Sequence, residues 1–316
     1  YTKKNSENLE INKPIENGKI LLIDDEWNRG WSDIINTAIS KEGIVFDTFE
    51  YDFKDKSNFN LYMRIQEKIK EFNPDVVILD LRLSQNDHEN DEIDTYTGIK
   101  ILEKIHNINS GIQVIMLTAT SKSTILEKLY EKKILGYIKK EHPEDRNIDT
   151  VENINKFIQL VDKGFGKKYL KEIWEIQHNI LNLEILNSDN KNYRQIQFEL
   201  ANVFDITDSN LDKKTTFFIL AIYNSLEILV KEFGYLEGRT YANIIEICDN
   251  YNLKDLKSSL SKIICTRNYL IHLDDEIRYH CRQNTIKKPN HDNLVDWLKV
   301  IYKIISKINT SQNMSN

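Results

Sequence analysis

The chain has 316 residues with 43 lysines and arginines against 49 aspartates and glutamates, so its formal net charge is −6, and at this length two hydrophobic cores are expected rather than one. Acidic residues outnumber basic ones by 27 to 20 before Arg146 but stand at 22 to 23 from there on, which excludes a strong positive field that would mark either half as a bulk polyanion binder. No apolar stretch approaches the roughly 20 residues of a membrane span, the polar start YTKKNSENLEINK lacks the pattern of a signal peptide, and Cys248, Cys265 and Cys281 lack metal-ligand spacing and read as free thiols, so a cytoplasmic protein with no membrane partner is expected.

In chain order, residues 1–17 are expected to form a flexible tail. Four short apolar runs follow at residues 20–23, 76–79, 114–117 and 134–139, separated by stretches of helical period. Such runs read as buried parallel strands of an alternating α/β domain, a doubly wound parallel sheet. Each run is closed by a polar group: Asp24 and Asp25, Asp80, Thr118 and Lys140 in turn. In doubly wound sheets ligands bind at the carboxyl edge of the strands, so these five residues are expected around one crevice. Two carboxylates about 4 Å apart repel by roughly 4 kcal/mol at an effective dielectric near 20, so three stay ionised together only around a cation. Mg²⁺ suits oxygen ligands of this kind, which makes Asp24, Asp25 and Asp80 the candidate metal ligands.

The segments ILLIDDE at 20–26, VVILDLRL at 76–83, VIMLTA at 114–119 and GYIKK at 136–140 resemble a response-regulator receiver domain of flavodoxin-like fold over residues 18–162. The resemblance implies that Asp80 is a phosphoacceptor served by a histidine kinase or phosphotransfer protein. It also implies that Asp24 and Asp25 ligate Mg²⁺, that Thr118 and Lys140 bind the phosphoryl group, and that Tyr137 is an aromatic switch. Arg82 and Thr120 stand where the family tunes phosphoryl lifetime. Two departures are visible: Glu141 follows Lys140 where the family has Pro, and Gly98 comes later after Asp80 than the family's glycine does. The intervening SQNDHENDEIDTYT, with Asp87, Glu89, Asp91, Glu92 and Asp94, reads as a solvated acidic loop; it lacks the alternation and the glycine of a calcium loop.

Beyond Lys140 the pattern is helical throughout. A last receiver helix is expected over 149–162, with Gly164 and Gly166 breaking it. A linker helix within 163–192 carries the a/d seam Tyr169, Ile173, Ile176, Ile180 and Leu183, which suits either packing on its own domain or dimerisation. An all-α bundle should occupy 193–316, with helices at 193–204, 213–234, 240–270 broken near Asn250, and 291–308. The second buries a stripe of Phe218, Ala221, Ile222, Leu226 and Leu229 and stops at Gly234. No basic recognition helix is present, so sequence-specific DNA binding is not expected.

One constellation here suits chemistry. On a helix Asn268 and His272 share a face, with Arg267 about 140° round from His272. A proton carrier, a fixed cation and an amide suit metal-free cleavage of RNA by its own 2′-hydroxyl. This trio resembles the signature of the HEPN superfamily, helical bundles many of which are ribonucleases with a composite site across a homodimer. The resemblance implies that Arg267 and His272 are catalytic, that Asn268 supports them, and that no cofactor is needed. Arg278, Arg282, Lys287 and Lys288 are candidate RNA contacts. The alternative expectation is a helical output that only binds a protein or RNA.

Overall fold

The computed structural model describes residues 13–53, 58–89, 92–119, 123–140, 148–211, 213–235, 239–271 and 284–314. The chain divides into two compact units, Tyr1–Lys171 and Glu172–Asn316.

The first unit is built on five parallel strands in the order β2-β1-β3-β4-β5: β1 is Gly18–Ile23, β2 Ile44–Thr48, β3 Val76–Asp80, β4 Gln113–Thr118 and β5 Gly136–Lys139. This is the flavodoxin-like doubly wound order, with the chain reversing direction between β1 and β3. Register is set by pairs such as Ile20↔Val76 and Leu79↔Met116. The connecting helices are α1 (Trp31–Ile39), α2 (Asn58–Phe72), the short α3 (Asn86–Glu89), α4 (Thr97–Ile108), α5 (Ser123–Glu131) and α6 (Ile148–Phe165). Alternate residues of each strand feed two cores. Leu21, Ile23, Val77, Leu79, Val114 and Met116 pack with Ile65 and Ile69 of α2, Ile101 and Ile105 of α4 and Leu129 of α5. Ile20, Leu22, Val76, Ile78, Ile115 and Leu117 pack with Ile35 and Ile39 of α1 and Phe157, Ile158 and Val161 of α6. Burial on both faces is why the central strands read as unbroken apolar runs.

β2 has no such run, so the sequence alone does not mark it as a strand. It is an edge strand, half-exposed along most of its length, and Asp47 interrupts its apolar residues. Gly164 also departs from expectation. α6 runs through it to Phe165, because the glycine lets the helix lie against β3: an added Cβ would stand 2.7 Å from Val76 Cγ2. Residues 13–17 are fastened down, with Ile15 N and Glu16 N both donating to Asp162 Oδ1 at 2.8 and 3.0 Å, while residues 1–12 of the expected tail lie outside the described residues.

Helix α7 (Tyr169–Leu181) carries the boundary between the units. Its seam residues Ile173, Ile176 and Ile180 are buried within a single copy of the chain. Lys171 at its start pairs with Asp75 at 2.9 Å, and Asn109 Nδ2 donates to the Lys171 carbonyl. In the second unit Gln177 Nε2 donates to the Ala201 carbonyl and Gln177 Oε1 accepts from Phe204 N, so α7 is held by side chain as well as by seam. The helices that follow are α8 (Lys191–Ala201), α9 (Val203–Asp208), α10 (Lys214–Glu232), α11 (Thr240–Asn250), α12 (Lys257–Ile271) and α13 (His291–Asn313). α10 is the central helix, packed by α8, α9, α11, α12 and α13. Its expected stripe is buried, and so are Ile219, Tyr223, Ser225, Ile228 and Val230, as befits a helix surrounded on most sides. Gly234, at φ +75, lets the chain leave α10 in the left-handed conformation that a side chain resists. Asn290 opens α13 with a reciprocal capping box to Asn293, and that helix runs five residues past its expected end at 308.

Candidate functional site

The carboxyl ends of β1, β3, β4 and β5 deliver Asp24, Asp80, Thr118 and Lys140 to one crevice, with Asp25 at its rim. Asp24 is fully buried, Asp80 and Thr118 nearly so, and Asp25 is exposed. One carboxylate oxygen from each of Asp24, Asp25 and Asp80 lies within 4.8 Å of the others. Lys140 Nζ pairs with Asp80 Oδ2 and stands 2.8 Å from Asp24 Oδ2, bridging two buried anions. The backbone aims it, since Lys140 N donates to the Thr118 carbonyl at 2.8 Å. The Trp31 ring covers the ammonium, with its centroid 5.4 Å away. Asp24 Oδ1 accepts from Glu26 N, and Asp80 Oδ1 accepts from Arg82 N.

One ammonium does not neutralise three carboxylates. Burial pushes the Asp80 carboxyl up to about 7 against the pull of Lys140, with the Asp24 charge adding to the rise. The pocket wall strips water from the inner side of Asp25, and with Asp24 adjacent its pKa rises to about 6. Burial opposes the charge on Lys140, but Asp80 and Asp24 outweigh it and hold this lysine above its ordinary range. The residual negative charge and the all-oxygen donor set fit a hard divalent cation such as Mg²⁺, with Asp24, Asp25 and Asp80 as its holders.

The segment after Asp80 is acidic and exposed at Glu89, Glu92 and Asp94, as the sequence suggested, but not at Asp87. Asp87 is buried, and its carboxylate fastens the two ends of the segment together: Oδ2 accepts from Leu83 N and Ser84 N at 2.9 Å, and Oδ1 from Thr97 N and Thr97 Oγ1 at 3.0 and 3.1 Å. Gly98 then returns to Asp80. Its N–H donates to the Leu81 carbonyl, and an added Cβ would stand 2.4 Å from the Asp80 carbonyl oxygen. The late glycine therefore sits against the phosphoacceptor candidate because the extra residues loop out before it. No local pattern marks Asp87, Trp31 or Tyr96 for these places, since Asp87 reaches Thr97 across ten residues of chain.

Tyr137 is half-buried at the edge of the α2–α4–α5 core, edge-on to Tyr130 at 5.9 Å and with Lys156 Nζ 4.6 Å above its ring. Thr120 lies outside the described residues. In the helical unit the Arg267 guanidinium lies 4.2 Å over the Tyr223 ring, and its Nη1 donates to Asn268 Oδ1 at 3.1 Å. His272, Arg278 and Arg282 lie outside the described residues, whereas Lys287 and Lys288 are exposed. Ile286 N donates to the buried Thr266 Oγ1, tying the stretch that bears these lysines to α12.

Residues 20–152 match the response regulator receiver domain family, and this part of the chain is a receiver domain of the kind that serves two-component phosphorelays. Among solved structures the chain is similar to a LuxR-family two-component response regulator from Aurantimonas sp. SI85-9A1, at 19% identity over 45% of this chain and 86% of that chain, with a TM-score of 0.31. It is also similar to the signal receiver domain of a putative Luxo repressor protein from Vibrio parahaemolyticus, at 20% identity over 46% of this chain and 96% of that one, TM-score 0.29. A third likeness is to a LuxR-family DNA-binding response regulator from Staphylococcus aureus, at 18% identity over 47% and 98%, TM-score 0.31. No curated protein matches the chain. No helix among the described residues is long and apolar enough to cross a membrane.

Proposed function

We propose that phosphorylation of Asp80 is the input this chain receives and that its helical unit is the output under control. The observation that carries the reading is the meeting of three carboxylates within 4.8 Å beside an ammonium that bridges two of them. An Asp80 carboxylate oxygen attacks the phosphorus of a phosphohistidine on a histidine kinase or phosphotransfer protein. The new P–O bond forms as the P–N bond breaks, and the imidazole keeps the electron pair and takes a proton from water. Asp24, Asp25 and Asp80 would hold a Mg²⁺ ion, which when bound would supply positive charge against the phosphoryl oxygens. Lys140 shifts from the Asp80 carboxylate to the phosphoryl group, which brings a charge of about −1.5 to −2, and Thr118 Oγ1 donates to it. Tyr137, half-buried beside Tyr130, turns inward behind Thr118 and passes the change to β5 and α6. The phosphorylated protein acts as a cytoplasmic homodimer in this reading. Calorimetry with Mg²⁺ tests the pocket: binding in the parent chain that is lost in Asp24→Asn and Asp80→Asn supports it, and the absence of any heat of binding to the parent counts against it.

At finer grain we read the output as a metal-independent endoribonuclease of HEPN type. What supports it is the fixing of Arg267 late in α12, stacked on Tyr223 and bonded to Asn268, with His272 five residues further on in the sequence. His272 would exchange the proton of the 2′-hydroxyl and the Arg267 guanidinium would steady the pentacoordinate phosphate. Arg278, Arg282, Lys287 and Lys288 would contact RNA phosphates. Incubating the full chain with total RNA in the presence of a chelator tests this. Cleavage that His272→Ala abolishes keeps the enzyme. Intact RNA with both phosphorylated and unphosphorylated protein leaves an output that only binds.

A further inference from the structure

The Asp80 crevice has an aromatic wall as well as charged ones. Lys140 Nζ meets Asp24 Oδ2 and Asp80 Oδ2, and the centroid of the Trp31 ring stands 5.4 Å from the same ammonium. Only 10% of the Lys140 side chain is exposed, so the ring helps to keep water from it. Backbone geometry puts the indole there. Gly30, at φ +100, takes the chain out of the single helical turn Trp27–Arg29 in the left-handed conformation, and α1 starts at the next residue, Trp31. Ile34 N donates to the Gly30 carbonyl at 3.0 Å, while the hydroxyls of Ser32 and Thr48 share a hydrogen bond at 2.9 Å that fastens the first turn of α1 to the end of β2. On the other side Glu26 N donates to Asp24 Oδ1 at 2.8 Å, tying the segment before Trp31 to the pocket. An aromatic face attracts a cation, most strongly where water is kept away.

We propose that Trp31 is a positioning residue for phosphoryl capture at Asp80, keeping the Lys140 ammonium inside the crevice where it meets the incoming phosphoryl oxygens. This rests on Asp80 being the phosphoacceptor. With acetyl phosphate as donor, an Asp80 carboxylate oxygen bonds phosphorus as the P–O bond to the acetyl group breaks, and acetate leaves with the electron pair. Lys140 lets go of Asp80 as that carboxylate becomes the nucleophile. The ammonium then has Asp24 and the indole as its remaining neighbours, and the ring favours a shift onto the phosphoryl oxygens over a swing into solvent. Without the ring, water solvates the ammonium, and its attraction for the charge on those oxygens weakens.

The full chain is exposed to acetyl phosphate and Mg²⁺, and the rate at which it gains a phosphoryl group is followed by intact mass. Trp31 is half-buried at the head of α1, so its variants keep the fold, which thermal unfolding above the assay temperature verifies. Trp31→Leu and Trp31→Met, which keep apolar bulk without an aromatic face, slow adduct formation about three- to tenfold, the worth of a partly desolvated cation–aromatic contact. Trp31→Phe restores most of the rate, a rescue that a merely space-filling role does not produce. In a Lys140→Met chain the further change Trp31→Leu has no effect, because the cation on which the ring acts is gone. Unchanged rates in Trp31→Leu and Trp31→Met, a Trp31→Phe chain as slow as Trp31→Leu, or a further loss in the double variant overturns the proposal while leaving the phosphoacceptor in place. If the parent forms no adduct at all, the reading of Asp80 falls and this proposal falls with it.

Discussion

Replacing Asp80 by Asn should stabilise the receiver unit when no divalent cation is present. Asp80 has its carboxyl raised from 3.8 to about 7, with burial as the main cause. The folded state therefore holds the proton more tightly than the unfolded chain does. The stability this group allows is complete below pH 3.8 and is lost as pH climbs through about 7, after which the penalty is constant. Converted at 1.36 kcal/mol per pKa unit, the difference has an upper bound of about 4 kcal/mol. The asparagine forfeits the ion pair with Lys140, which keeps Asp24 as a partner, and the net gain is set at about 2 kcal/mol at pH 8. For a unit of this size that corresponds to a rise in Tm of roughly 4–8 °C. Thermal unfolding of both proteins in chelator between pH 5 and 8 provides the assay, with the gap between them widening as pH rises. Mg²⁺ at ten times its Kd should then lift the parent by about 1.4 kcal/mol and leave Asp80→Asn almost unmoved. If Asp80→Asn melts at or below the parent at pH 8 in chelator, the pocket is not electrostatically frustrated and the reasoning fails.

Three further outcomes follow from the same geometry. Lys140→Met strands Asp24 as a buried anion and drives the Asp80 carboxyl further up so that it must take a proton, so it should destabilise the receiver by about 3–5 kcal/mol in chelator at pH 8, and by less at pH 6, as read from chemical unfolding. Gly98→Ala forces a Cβ to within 2.4 Å of the Asp80 carbonyl oxygen, and should cost about 2–3 kcal/mol in the same measurement while weakening Mg²⁺ uptake. Asp87→Ala removes four hydrogen bonds at the ends of the looped-out segment and should cost about 3 kcal/mol, with amide exchange accelerating at Leu83, Ser84 and Thr97 before it does in the β-strands.

The sheet was legible because its three central strands are buried on both faces, which leaves unbroken apolar runs ending in Asp24, Asp80 and Thr118. β2 was not, because an edge strand that keeps Asp47 in its middle has no period-2 signature strong enough to separate from a loop. The acidic segment was legible in part, being exposed at Glu89, Glu92 and Asp94. Charge density alone suggests solvation, and only the fold reveals that one of its five acids, Asp87, turns inward to accept four N–H and O–H groups. Gly164 shows the same limit: a glycine needed for close helix–strand approach looks, in sequence, like one that ends a helix. The pairing of Arg82 with Tyr96 spans a looped-out segment whose path no local pattern encodes.

The most direct test of the receiver pocket is the mass of the intact chain after exposure to acetyl phosphate. With Mg²⁺ the account predicts a gain of one phosphoryl group, removable by hydroxylamine, absent in chelator and absent in Asp80→Asn. An adduct that persists in Asp80→Asn, or a parent chain that gains no mass with Mg²⁺ present, contradicts it.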